Sequence, residues 1–157
     1  MPGNKNKTIK FEPEPVKVED ILLPDRFTVH KLPIFLESVS AGFPSLAEDY
    51  IEGRLDLNDF LIRNPSATFF VRVTGDSMIE AGVYSGDILV VDRSLNPKDG
   101  SIVISVIDGE LIVKRLGIKK NKIYLIPENR KYEPIEITNE MSFEVWGVVT
   151  TVIHSVI

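Results

Sequence analysis

From Ala67 to the end of the chain the apolar residues recur with a period of two. They fall in short runs, ATFFVRV, DILVVDRS, GSIVISVI, ELIVKRL, KIYLIP, PIEIT and FEVWGVVTTVIHSVI, each bounded by Gly, Pro, Asn or Asp. Alternation of this kind places successive side chains on opposite faces of an extended strand, and the bounding residues favour turns over continuation. The expected fold is therefore mostly β, a small antiparallel β-domain. Asp108-Gly109 marks the clearest tight turn, because Gly accepts positive φ at no steric cost, so SIVISVI and ELIVKRL are expected to pair as a hairpin.

The first third of the chain follows other rules. Five of the ten prolines (Pro2, Pro13, Pro15, Pro24 and Pro33) fall within residues 1–41, where they favour extended backbone and interrupt any helical period. That segment reads as an N-terminal arm, followed by a linker over 42–55 and the β-domain over 56–157. The arm's apolar stretches, ILLP at 21–24 and LPIFLESVSAGFP at 32–44, are suited to docking as extended chain. A short helix is expected after Asp56, which can cap it. Asp59 then sits near the positive end of the helix dipole, Leu57, Phe60 and Leu61 share a face, and Arg63-Asn64-Pro65 ends the helix.

Composition narrows the chemistry. The chain has no cysteine, which removes disulfides, thiolate nucleophiles and Cys-ligated zinc, and His30 and His154 are too few for most imidazole metal sites. No metal and no cofactor is expected. A net charge of −5, carried entirely by residues 42–157, disfavours direct contact with a phosphate backbone. Lys119, Lys120 and Lys122 form a small basic cluster that fits a solvated β-turn. No apolar run approaches the roughly 20 residues that cross a bilayer, and MPGNKNKTIKFEPEP lacks the apolar core of a secretory signal, so a cytoplasmic protein is expected.

Oxygen and amine groups remain for any catalysis. Ser77, in VRVTGDSMIEAG, sits where a strand stops at Gly75, a position that exposes a hydroxyl as a nucleophile and equally suits an ordinary turn cap. The G-x-S-x-G elbow is not matched, because Ile79 occupies the second glycine position. Lys114 shares one strand face with Ile112 and Leu116. An amine in apolar surroundings loses its proton more readily and can serve as a general base, whereas an edge-strand lysine lifts its amine into water. Arg115, on the other face, is expected to be solvated.

The stretches SAGFPSLAEDYIEGRLDLNDFLIRNPSATFFV, VTGDSMIEAGVYSGDILVVDRSL, DGELIVKRL and VWGVV together resemble the LexA/UmuD-like self-cleaving Ser/Lys peptidases over nearly the whole chain. The resemblance implies that Ser77 is the nucleophile, Lys114 the general base and Ala41-Gly42 the bond the protein cuts in its own chain. Backbone amides at Asp76 and Ser77 are candidate oxyanion donors. Small residues at the bond fit this assignment. Ala41 suits a shallow pocket, Gly42 leaves room for the attacking hydroxyl, and Val39 points the same way as Ala41 along an extended backbone.

The arm is too short and proline-interrupted for the helix-turn-helix domain of LexA repressors, which sets the chain with the UmuD-like branch. Residues 1–25 match nothing familiar and have no assigned role. The resemblance further implies an SOS setting. A RecA filament on single-stranded DNA would activate cleavage, and the truncated homodimer would serve a UmuC-type translesion polymerase in error-prone repair. The competing reading is a non-catalytic polymerase-docking accessory protein, against which intact Ser77 and Lys114 argue. A signal peptidase with the same dyad is disfavoured by the lack of an apolar anchor. Finally, FEVWGVVTTVIHSVI is apolar at both parities. That pattern fits either an interior strand or a strand with one face on the core and the other covered by a second copy; the second is preferred here.

Overall fold

A computed structural model describes residues 17–22, 31–35 and 51–157 of the chain. In chain order the elements are β1 (Lys17–Leu22), β2 (Lys31–Phe35), β3 (Ile51–Asp56), α1 (Leu57–Leu61), β4 (Thr68–Thr74), β5 (Ile88–Asp92), β6 (Ile102–Ile107), β7 (Glu110–Lys119), β8 (Lys122–Ile126), β9 (Ile135–Glu136) and β10 (Phe143–Ile153). A 3-10 turn, Ile79–Ala81, lies between β4 and β5. The fold is the mostly antiparallel β architecture expected from the alternation.

Eight strands form one sheet in the order β1-β4-β5-β10-β6-β7-β8-β9, and β1 also bridges β7 at Lys17↔Ile112, so the sheet curls back on itself. Strands β2 and β3 pair separately. The hairpin between β6 and β7 turns at Asp108 (φ 49°) and Gly109 (φ 85°), with Ile107 opposite Glu110. Two successive positive φ values define the tight turn whose twist matches the flanking strands. Lys120 and Asn121 turn the chain the same way between β7 and β8. The basic cluster is thus a turn, with Lys122 in an exposed ion pair to Glu136.

Alternation divides the buried side chains into two cores. Phe69, Val71, Val73, Met78, Val83, Leu89, Val91, Ile104 and Val113 form the first; Val103, Ile112, Leu116 and Leu125 form the second. Neighbours in sequence on β6 and β7 go to opposite cores, as period two requires.

Two expectations are corrected. The C-terminal strand ends at Ile153 rather than running to Ile157, and His154 beyond it sits 2.6 Å from the buried Asp87 carboxylate. Its two-sided apolarity is used within one chain. Trp146, Val149 and Val152 pack on the first core and Phe143, Val145 and Val148 on the second. Register shifts between Val145 and Gly147 and between Val149 and Thr151 redirect the alternation. The interior-strand reading therefore explains the pattern, and the argument for a second copy from parity falls. Helix α1 is capped by Asp56, whose carboxylate accepts from the Asn58 amide at 2.8 Å, but it buries no residue, and Leu57 and Phe60 face solvent. Its apolar face meets no core formed by the described residues.

Candidate active site

Strand β4 stops at Thr74, and Gly75 reverses the chain with φ 92°, a backbone region that strains any residue bearing a Cβ. Asp76 and Ser77 follow. Fully buried Met78 then pins the turn to the first core, and its carbonyl accepts from the Ala81 and Val83 amides. Ser77 is thereby held rigidly between a strand end and a core anchor, with its side chain buried.

Lys114 lies in the middle of β7, opposite Val103 of β6. Its strand face also carries Ile112 and Leu116 of the second core, as the sequence alternation anticipated. The side chain is only 5% exposed. Loss of hydration disfavours the ammonium and lowers the amine from 10.5 to about 8. Lys114 Nζ lies 2.7 Å from Ser77 Oγ and donates to the Val113 carbonyl at 3.1 Å. Protonated, the amine donates to the hydroxyl. Neutral, it offers a lone pair to the Oγ–H along the same line, the arrangement of a general base on a nucleophile.

One segment references both residues to a common frame, and sequence reasoning missed it. Buried Asn129 donates through Nδ2 to the Asp76 carbonyl at 2.8 Å, and the Tyr132 hydroxyl bonds the Asp76 carboxylate. The Glu128 carbonyl accepts from the Glu80 amide at 2.8 Å, while its carboxylate pairs with Arg115, next to Lys114 on β7. Arg115 also donates to the Gly100 carbonyl. Its expected solvation is corrected: it ties β7 to the segment that braces the serine turn. Only the turn-forming character of PENR in the sequence hinted at such a segment.

The Asp76 and Ser77 amides belong to this braced turn. The Ala41–Gly42 bond lies outside the described residues, in sequence between β2 and β3. Among the described residues no group of His, Cys, Asp or Glu is arranged to hold a metal ion, and no helix is long and apolar enough to cross a membrane.

A buried serine–lysine pair on a small antiparallel β-domain defines a class of peptidase, and the chain belongs to the Peptidase S24-like family, whose model matches residues 33–150. The chain is 52% identical to SamA of Salmonella typhimurium, over 78% of this chain and 84% of SamA. It is 46% identical to MucA of Escherichia coli, over 82% of this chain and 86% of MucA. Identity to ImpA of Shigella flexneri is 48%, over 78% of this chain and 83% of ImpA.

Proposed function

We propose that the protein is a self-cleaving Ser/Lys peptidase that cuts its own Ala41–Gly42 bond once. The observation that carries this reading is the 2.7 Å approach of Ser77 Oγ to an amine whose burial has brought it to about 8. Neutral Lys114 takes the Ser77 proton as Oγ attacks the Ala41 carbonyl carbon. The resulting oxyanion is held by main-chain amides of the Asp76-Ser77 turn. On collapse, the C–N bond breaks and the Lys114 ammonium returns its proton to the departing Gly42 nitrogen. Water, deprotonated by the same amine, then releases Ala41 from Ser77, leaving the dyad as it began.

Removal of residues 1–41 leaves residues 42–157, roughly 13 kDa of the 17.6 kDa chain. The resemblance to UmuD-like proteins supports a role in SOS mutagenesis in the cytoplasm. There a RecA filament on single-stranded DNA triggers the cut, and the truncated homodimer acts as a subunit of a UmuC-type translesion polymerase. Ser77→Ala and Lys114→Ala should each leave the chain at full length while preserving its fold. Processing of Lys114→Ala at the wild-type rate would remove the dyad, whereas a wild-type chain that stays uncut would favour the non-catalytic polymerase-docking accessory protein.

A further inference from the structure

Strand β1 lies within the part of the chain that the proposed cut would excise, yet it is built into the main sheet. It covers the open side of β4 through Lys17↔Thr74, Val18↔Val73, Asp20↔Arg72, Ile21↔Val71 and Leu22↔Phe70. On its other side it bridges β7 at Ile112, two residues from Lys114. Val18 packs on the first core, whose members Val71 and Val73 are fully buried. A second strand of the same segment, β2, pairs with β3 from Lys31↔Asp56 to Phe35↔Ile51. Breaking the peptide bond after Ala41 removes none of these backbone pairings.

We propose that the slot between β4 and β7 is a strand-binding site that retains the excised fragment through residues 17–22 after cleavage. On this account, which rests on the self-cleavage reading, bond breaking and release of the arm are separate steps. Two features support retention. The slot recognises extended backbone by ladder hydrogen bonds and by the apolar Val18 side chain, the mode by which sheets accept an added strand. The fragment also holds on at two places, β1 and β2, joined by residues 23–30. When one strand lets go, the other keeps it nearby at an effective concentration on the order of millimolar. Only departure of the fragment uncovers the β4 edge, and an uncovered edge is a template for another chain.

The full-length protein should be allowed to process and then divided between denaturing and native mass spectrometry. The first reports whether the bond is broken, and the second whether residues 1–41 stay with residues 42–157. Retention of the fragment is expected in the native spectrum. Val18→Pro, which takes a ladder donor and the core contact from β1, should raise the fraction lost at least tenfold. If the wild-type fragment leaves as readily as the proline variant's, the proposal is overturned. A Ser77→Ala chain carrying a foreign protease site at residues 38–41 separates the two ideas. Cut by the added protease, it should still retain its fragment, and prompt loss would overturn retention whatever the fate of the dyad.

Discussion

At the scale of single residues, Lys114 is buried on the strand face it shares with Ile112 and Leu116, at a cost to stability. Its amine sits near 8 in the folded chain against 10.5 when exposed. Between those pH values the unfolded chain holds the extra proton, so this group's contribution to stability improves as pH rises through that window and is least favourable below 8. Lys114→Met should therefore stabilise the protein at pH 7 by up to about 3 kcal/mol, with the gain shrinking towards pH 10.5. Denaturant titrations at pH 7 and pH 10 check this, and equal effects at both would mean the amine is not desolvated. The cleavage rate should rise roughly tenfold from pH 7 to a plateau near pH 10, with its midpoint near 8, because only neutral Lys114 can take the Ser77 proton. A flat profile would point to docking of the arm as the slow step. The apolar face of Lys114 was legible in the alternation of its strand. Its approach to Ser77, 37 positions away, was not, because local periodicity says nothing about which turn a strand will face.

At the scale of elements, the serine turn is held by a segment whose sequence gives little warning of its part. Asn129→Ala removes the side-chain donor to the Asp76 carbonyl and leaves that acceptor only the longer 3.3 Å bond from the Ile79 amide, which should cost about 1 kcal/mol in stability. Cleavage should slow at least tenfold under conditions where the variant remains folded, and an unchanged rate would show that the turn keeps its shape without Asn129. Ser105, opposite Ile112 on β6, buries a hydroxyl with no hydrogen-bond partner among the described residues. Ser105→Ala should leave stability unchanged or raise it by up to about 1 kcal/mol in thermal unfolding. A clear loss would reveal a partner for that hydroxyl. The seven strands after Ala67 and the Asp108-Gly109 hairpin were readable because alternation and turn chemistry are local. The parity of FEVWGVVTTVI misled because two register shifts lie inside it. Strand β1 went unread for a related reason: KVEDIL is a short run among prolines, and its partner β4 lies about fifty residues away in sequence.

At the scale of the molecule, the sheet is assembled from both sides of the proposed cut. Residues 1–41 contribute β1 to the edge of β4 and β2 to the side of β3. On the proposed reading the body supplies both members of the dyad and the arm supplies the bond, which is tethered to them at high effective concentration, so no external substrate needs to be captured. The acidic balance of residues 42–157 fits a protein that acts through other proteins more than by gripping nucleic acid itself. The central claim is that Ser77, activated by neutral Lys114, breaks one bond in its own chain. Denaturing mass spectrometry of the purified protein held at pH 10 tests it most directly. The account expects two fragments whose masses sum to the chain plus one water, one ending at Ala41 and the other beginning at Gly42, with neither formed by Ser77→Ala. A chain that stays whole, or a cut that persists without Ser77, would contradict it.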